Sequence, residues 1–266
     1  MDEVKEKIQY VMESSENKKA AILHKAFSGE LTEQWRKEQG ISECNWCYKP
    51  IKDICLTRAG HAFKSKKFGK EGYQVIRMGN LYRGELDLSR SPVFIDRKDV
   101  DPDVVKKTLV HKGDILLTLT GTKYKRDYGY SVRVNEEKNI LLNQRLLCLK
   151  PKNCVISDYV LLYLQSNQFR DIFFSNETGG VNQGNVSSKF VESIEVPIPE
   201  IEEQKAIVSI LKFVLMKENA IRTNCKEVLA QAEVLKKSIL SRAFRGKLGT
   251  NNPDEESALE LLKTIL

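Results

Sequence analysis

Residues 207–239 read IVSILKFVLMKENAIRTNCKEVLAQAEVLKKSI, and their apolar side chains recur at alternating steps of four and three. A repeat of 3.5 residues is typical of a coiled-coil seam, whereas a helix on a globular core carries a wider apolar stripe. Pro199 before the run and Gly246 after it predict one helix about 65–70 Å long, which needs a partner helix. The predicted seam, interrupted by Glu218, consists of Ile207, Leu211, Val214, Ile221, Cys225, Val228, Ala232, Leu235 and Ile239.

The two ends of the chain carry copies of one segment. Residues 19–31 read KAAILHKAFSGEL and residues 236–248 read KKSILSRAFRGKL, with seven identities in thirteen positions. Extended toward the N-terminus without a gap, the same alignment places Ile8 on Cys225 and Val11 on Val228. Because the match continues past the predicted helix end, we interpret residues 1 to about 28 as a copy of the last part of the long helix.

The composition is that of a globular protein without a membrane span. Among 266 residues, 41% are hydrophobic and 30% are charged, and no stretch approaches 18 uninterrupted apolar residues. The charged N-terminus does not resemble a signal peptide, so we expect a cytoplasmic protein. Six scattered cysteines in such a compartment are expected to be free thiols.

The net charge of +7 is concentrated in two segments. Residues 58–83 contain seven basic residues and one acid, and residues 123–133 contain four basic residues and one acid. Both segments also carry Gly, Tyr, Asn or Ser, a mixture that suits loops whose cations meet phosphates while polar side chains reach base edges. The alternative is a pair of ordinary solvated loops.

The region between the helices has a different pattern. Short β-rich runs such as YQVIRM (73–78), DILLTLT (114–120) and LLNQRLLCLK (141–150) are separated by glycines, and only residues 157–174 have helical spacing. We therefore predict an α+β protein in which one mixed α/β domain with an irregular twisted sheet is flanked by long helices that form a coiled coil. After Gly249, the segment SALELLKTIL is predicted to form a short helix.

Motifs in a fixed order along the chain resemble the specificity (S) subunit of type I restriction-modification systems. They are AFSGELTEQWR (26–36), LTRAG (56–60), YQVIRMGNLYRGELDL (73–88), VHKGDILLTLTGT (110–122), LNQRLLCLKP (142–151), YLQSNQFRDIF (163–173), TGGVNQGNVSSKFVESIEVPIPEIEEQKAIV (178–208) and KKSILSRAFRGKLG (236–249). Each motif alone is generic, but their order and spacing together are specific.

The resemblance implies target recognition domains that alternate with conserved helical regions paired as antiparallel coiled coils. It divides the chain into a partial helical region (1–40), a DNA-binding recognition domain (41–198) and a helical region (199–266). Members with full length carry two recognition domains, so this chain resembles a half-subunit.

The resemblance also implies the partners. They are double-stranded DNA, a methylation (M) subunit that carries S-adenosylmethionine, a restriction (R) subunit and, for a half-subunit, a second copy of the chain. The expected homodimer would read a bipartite target. This chain itself is expected to bind no cofactor and no metal, and to have no catalytic residues.

Candidate DNA contacts come from the two basic segments and from the polar loop TGGVNQGNVSSK. Lysines and arginines are expected to contact phosphates, while Arg, Asn and Gln read bases. The candidates are Arg58, Lys64, Lys66, Lys67, Arg77, Asn80, Tyr82, Arg83, Lys123, Tyr124, Lys125, Arg126, Tyr128, Asn182, Gln183, Asn185, Ser187 and Lys189. Trp35 and Trp46 are expected to pin the helical region to the domain rather than to stack on bases.

Two other classes of function remain open at this point. Glu136-x-Lys138, downstream of Asp103 or Asp114, has the outline of a metal-dependent nuclease site. A methyltransferase is not indicated, because the chain has neither a Pro-Pro pair nor a G-x-G-x-x-G turn. The third possibility is a coiled-coil scaffold whose basic loops do not read DNA sequence.

Overall fold

The computed structural model describes residues 2–41, 43–82, 84–180 and 182–245. They fall into two compact units. One is Lys19–Val214, and the other combines the described residues of Met1–Lys18 and Leu215–Leu266. The predicted C-terminal helix and the Gly-x-Leu end of the second repeat copy lie outside the described residues.

Eight helices and fourteen strands form the described part of the chain. The helices are α1 (Asp2–Ser28), α2 (Glu33–Glu38), α3 (Ile51–Ile54), α4 (Pro102–Thr108), α5 (Ser157–Leu164), α6 (Asn167–Ser175), α7 (Ser188–Ser193) and α8 (Ile201–Phe244). The strands are β1 (Cys47–Pro50), β2 (Cys55–Ala59), β3 (Phe68–Gly69), β4 (Tyr73–Ile76), β5 (Leu81–Tyr82), β6 (Glu85–Leu86), β7 (Phe94–Ile95), β8 (Ile115–Thr118), β9 (Thr120–Gly121), β10 (Ser131–Arg133), β11 (Ile140–Leu142), β12 (Leu146–Pro151), β13 (Gly184–Asn185) and β14 (Glu195–Ile198).

The larger unit is built on two four-stranded sheets. The first is antiparallel with the order β10-β8-β12-β2, and the second has the order β11-β4-β7-β3 with a parallel β11–β4 pair. Strand β8 is buried along its whole length, which explains its uninterrupted apolar run in the sequence. Side chains such as Leu116, Leu146 and Leu142 join both sheets in one core. Together with the helices, these sheets make the mixed α/β domain that the sequence predicts.

The predicted helical stretch 157–174 is two helices rather than one. Ser166 lies between α5 and α6, and its hydroxyl donates to the Tyr163 carbonyl at 2.7 Å. The same oxygen accepts from the Phe169 N–H at 3.2 Å and so caps α6. A serine that satisfies backbone groups on both sides ends one helix and begins the next.

A buried polar cluster anchors the beginning of α8. The Glu203 carboxylate accepts from the Thr32 hydroxyl at 2.6 Å and the Trp46 indole N–H at 2.9 Å, and it pairs with Arg36. Arg36 in turn donates to the Gly29 carbonyl at 2.7 Å. This cluster places residues on both sides of the predicted 41–198 domain in the larger unit, and it gives Trp46 the pinning contact expected of it.

In the smaller unit, α1 and α8 run antiparallel. Lys5 pairs with Glu233, and Glu16 pairs with Arg222 at 3.2 Å. Ser15 donates to Glu218, the polar residue of the predicted seam. This part of α8 therefore has a partner helix within the same chain.

Only one row of the predicted seam is covered by this pairing. Glu218, Cys225 and Ala232 are half-buried, together with a neighbouring row of Leu215, Arg222 and Leu229. The other predicted row stays exposed, at 41% for Ile221, 46% for Val228 and 57% for Leu235. Ile239, which continues the row of Ala232, is also exposed, at 46%. In the larger unit Ile207 and Leu211 are buried and Val214 is half-buried.

Candidate nucleic-acid interface

A two-stranded ladder brings the second basic segment and the polar loop together. In β9 and β13, Gly121 pairs with Gly184 and Thr120 pairs with Asn185. The Thr120 hydroxyl also donates to the Asn185 side-chain oxygen at 2.9 Å. A Cβ on Gly184 would stand 2.3 Å from a Glu177 carboxylate oxygen and 2.8 Å from the Tyr128 hydroxyl, so a larger residue there would displace these two side chains. The two loops are distant in the sequence, and the fold joins them.

Tyr128 is part of the support of this interface and not of its surface. It is 1% exposed, and its hydroxyl donates to Glu177 at 2.7 Å. Burial, reinforced by the neighbouring Glu177 carboxylate, raises the pKa of Tyr128 far above its ordinary value. A side chain in this position cannot reach DNA, so the predicted contact by Tyr128 is corrected to a structural role.

The loop between β9 and Tyr128, residues 122–127, carries its cations on a strained backbone. Tyr124 and Arg126 have φ angles of 65° and 50°, in the left-handed region that residues other than glycine rarely adopt. Tyr124 is 80% exposed and Lys125 is also exposed. Lys123 donates to the Gly179 carbonyl at 3.0 Å, which ties this loop to the polar loop. Strained residues persist where the surroundings hold them, and they are frequent at binding sites.

Arg170 on α6 holds the loop in this conformation, a role that the sequence did not reveal. Its guanidinium donates to the carbonyls of Tyr128 and Gly129 at 3.0 Å each and to that of Arg126 at 2.7 Å. Burial lowers the pKa of Arg170 from its ordinary value. The neighbouring Asp171 pairs with Arg126 at 2.8 Å. In the sequence, Arg170 and Asp171 are a charged pair among aromatic residues of a predicted helix. Such a pair is typical of a solvent-exposed helix face, so it did not indicate the role of Arg170.

The polar loop presents some of its predicted side chains and uses others internally. Asn182, Gln183 and Lys189 are exposed. Asn185 is half-buried in the ladder, and Ser187 accepts from the Phe190 N–H at 3.2 Å as the cap of α7. The side chains best placed for an external partner are therefore those at the tip of the loop.

The first basic segment divides in a similar way. Asn80 is 4% exposed and donates to the carbonyls of Asp87 and Arg90 at 2.9 and 2.8 Å, so it supports its loop and cannot read a base. Arg77 is half-buried and donates to the Ser91 carbonyl at 2.8 Å. Tyr82 is 49% exposed, and its ring lies edge-on to Tyr130 at 5.4 Å, beside the loop that Arg170 holds. Arg83 lies outside the described residues.

Arg58 and the lysines that follow it lie in different surroundings. Arg58 pairs with the buried Asp114 and donates to the Leu109 carbonyl at 2.7 Å, so its predicted DNA contact is replaced by a structural one. Lys64 and Lys66 are exposed. Lys67 is exposed as well, and it donates to the Asp99 carbonyl at 2.9 Å.

Asp114 and Glu136 of the nuclease hypothesis lie in different surroundings. Asp114 is 2% exposed and bound to Arg58, whereas Glu136 is exposed and pairs with Lys138 at 2.8 Å. Among the described residues, no group of three or more His, Cys, Asp or Glu side chains is placed to hold a metal ion. All six cysteines are free thiols.

The family model described as "Type I restriction modification DNA specificity domain" matches residues 43–231. The chain belongs to this family. The matched range contains both sheets, the candidate interface and the first part of α8, and it confirms the resemblance inferred from the motifs.

Relatives of known name align along most of the chain. It is 25% identical over 286 residues to the type I restriction enzyme EcoBI specificity subunit of Escherichia coli, with 100% of this chain and 59% of that protein covered. It is 26% identical over 253 residues to the MjaVIII specificity subunit of Methanocaldococcus jannaschii, with 89% and 56% covered. The chain thus spans somewhat more than half the length of these relatives.

Solved structures show the same fold. The HsdS subunit from Thermoanaerobacter tengcongensis superposes with a TM-score of 0.53 at 17% identity, covering 93% of this chain and 58% of that one. The type I S subunit from M. genitalium superposes with a TM-score of 0.55 at 16% identity, covering 88% and 56%. None of the helices in the described part of the chain is both long and apolar enough to cross a membrane.

The role of Arg170 can be tested by replacing it with lysine. Arg170→Lys keeps the charge but cannot bond three carbonyls with one rigid fork, so we expect a loss of about 1–3 kcal/mol in the free energy of unfolding. Hydrogen exchange should become faster at the N–H groups of Lys125 and Gly129, which bond to Thr122 and Thr118. Unchanged exchange in this loop would contradict the assigned role.

Proposed function

We propose that this chain is a DNA-recognition module of a type I restriction-modification complex and performs no catalysis itself. The main support for the proposal is that the β9–β13 ladder brings the loops at residues 122–127 and 178–187 next to each other. Their tips expose cations and amides side by side, as phosphate binding and base reading require. Membership of the specificity-domain family supports DNA as the partner.

The exposed residues divide by chemistry into two kinds of contact. The phosphates would be neutralised, and the register on the duplex set, by Lys64, Lys66, Lys125, Arg126 and Lys189 and by the half-buried Lys123. Asn182 and Gln183 carry paired donor and acceptor groups that match adenine in the major groove. Tyr124, at the crest of its loop, would pack against the sugar-phosphate edge or a base.

The complex around the chain is part of the same proposal. The methylation subunit would bind S-adenosylmethionine and carry out the chemistry on DNA, and the restriction subunit would cleave. Two copies of the chain would place two equal recognition domains on an inverted repeat, with the helices as spacer.

The experiment is a comparison of affinities for a selected and a random duplex. A target would first be selected from a random-sequence library with the full chain. Lys66→Ala should then weaken binding to both duplexes by the same factor, because phosphate contacts carry no sequence information. Gln183→Ala should cost about 1–3 kcal/mol on the selected duplex alone and relax one position of the target.

Two outcomes would contradict the proposal. If no sequence is enriched from the library, the chain is a scaffold whose basic loops only affect solubility. If Gln183→Ala and Lys66→Ala weaken both duplexes equally, the polar loop has no reading role. Cleavage of plasmid by the purified chain with Mg²⁺ would instead favour the nuclease hypothesis.

A further inference from the structure

A cleft of about 420 Å³ is formed by residues of α5, α6, α7 and the β1–β14 pair, together with Phe27 near the end of α1. All of its lining residues belong to the larger unit. Its volume lies within the range of sites that hold small ligands. Four of the lining side chains are aromatic: Phe27, Tyr48, Tyr163 and Phe190. The cleft is therefore a candidate binding site with largely aromatic walls.

Two of these four rings are available to a ligand. Phe27 and Tyr163 are buried, and their rings lie edge-on to each other at 5.2 Å. Tyr48 is 64% exposed and Phe190 is half-buried, and neither ring contacts another aromatic ring within the described part of the chain. The face of an aromatic ring carries partial negative charge, so both rings can attract a cation.

Two side-chain acceptors of the cleft have no donor. Glu195 is exposed, and its carboxylate forms no hydrogen bond or ion pair with the described residues. The side-chain oxygen of Gln168 is buried, and no described group donates to it. A buried acceptor without a donor costs free energy, which a donor supplied by a ligand would recover. A complementary ligand therefore brings positive charge and N–H donors.

The cleft lies on the other side of α6 from the candidate nucleic-acid interface. Arg170 on this helix holds the loop at 122–127, whereas Ile172 lines the cleft. Side chains two residues apart on a helix point about 200° apart, so they face opposite sides. An occupant of the cleft would therefore leave the loop at 122–127 accessible.

We infer that this cleft is the docking site for an arginine side chain of a protein partner. A guanidinium carries five N–H donors and no acceptor, and it stacks on aromatic rings. Its aliphatic stem suits apolar walls such as Ile172 and Pro197. Tyr48 and Ile172, which are 64% and 41% exposed, offer further apolar surface to residues that flank the arginine, and this favours a protein over a free amino acid. The inference does not depend on the proposed function.

Titration of the full chain with N-acetyl-L-arginine amide tests the site, and the corresponding citrulline amide is the matched control. The two probes have nearly the same shape, but the side chain of citrulline is neutral. We expect a dissociation constant of about 1 mM for the arginine probe, as is typical of a ligand of this size. The citrulline probe should bind at least about tenfold more weakly, because it lacks the charge that the carboxylate and the rings attract. Saturation-transfer NMR measures both affinities.

Two glutamate variants locate the binding. Glu195→Gln should weaken binding of the arginine probe at least about fivefold, because it removes the charge that pairs with the guanidinium. Glu200→Gln removes another exposed carboxylate, which does not line the cleft, and should leave the affinity unchanged.

Three results would overturn the inference. The first is equal binding of the two probes or equal effects of the two variants, since neither the charge of the ligand nor that of Glu195 would then matter. The second is no binding at about ten times the expected dissociation constant. The third is tighter binding of free L-arginine than of the blocked probe, which would assign the cleft to a free amino acid. Sequence selection by the chain tests the proposed function separately from all three.

Discussion

Replacement of Glu203 by alanine is expected to lower the free energy of unfolding by about 3–5 kcal/mol. Glu203 is 5% exposed, and its carboxylate accepts hydrogen bonds from Thr32, Arg36 and Trp46. Removing the acid leaves the 7% exposed Arg36 guanidinium without its counter-charge, and the cost of that buried charge exceeds the Coulombic energy of an ordinary pair. Urea unfolding followed by circular dichroism measures the change.

The neighbouring glutamate is the matched control. Glu202 lies on the same turn of α8 and forms an ion pair with Lys205. This pair is exposed, since 71% of the Glu202 side chain and 58% of the Lys205 side chain are accessible to solvent. Glu202→Ala should change the free energy of unfolding by no more than about 1 kcal/mol, because water screens an exposed pair. Equal losses in the two variants would show that the cluster around Glu203 does not anchor α8.

Removal of the cations of the strained loop is expected to have the largest effect on DNA binding. In Lys123→Ala/Lys125→Ala/Arg126→Ala, three lost phosphate contacts should reduce the slope of log affinity against log salt concentration by about 2.7 and the affinity at 0.15 M salt by about 100-fold. Fluorescence anisotropy across a salt series measures both quantities. The melting temperature shows whether the Lys123 contact to Gly179 and the Arg126 pair with Asp171 matter for the fold.

A second triple variant removes the same charge from another part of the same unit. Lys49, Lys52 and Lys150 are exposed, on β1, α3 and β12. Their replacement by alanine should leave the salt slope within about 0.5 of the original, because counterion release follows contacts and not net charge. If both triples weaken binding alike, DNA association is a general effect of positive charge and the loop at 122–127 is not the interface.

The sequence predicted those parts of the molecule whose signals repeat along the chain. The heptad period predicted a long helix that needs a partner helix, whereas the antiparallel direction was implied by the family resemblance. Ile115–Thr118 and Leu146–Pro151 were recognisable as strands by their apolar runs. What periodicity could not decide was which side of α8 faces α1, because two neighbouring rows, that of Cys225 and that of Val228, are apolar. Arg222 contacts α1 through its ion pair with Glu16. Ion pairs do not recur at a fixed spacing in a sequence, so the heptad pattern could not predict this contact.

The candidate site shows the same division more sharply. The basic segments and the polar loop could be identified from residue type alone. Lysine carries a positive charge, and asparagine and glutamine carry hydrogen-bonding amides, in any fold. Burial then separated Lys125 and Gln183, which are exposed, from Asn80 and Tyr128, which are in the interior. The role of Arg170 could not be predicted from the sequence, because its side chain donates three hydrogen bonds to backbone carbonyl groups. Every residue has such a carbonyl, so its partners have no recognisable residue type.

By itself, the sequence determined the kind of molecule: a repeated helical segment on either side of one β-rich domain with concentrated positive charge. Helix period, repetition and charge can be read from the sequence because they do not depend on how the chain folds. Only the tertiary structure decided which polar side chains face solvent, which helix covers α8, and that two loops from separate parts of the chain share one surface. Those outcomes depend on contacts between residues that are far apart in sequence, and such contacts are set by how the sheets and helices pack.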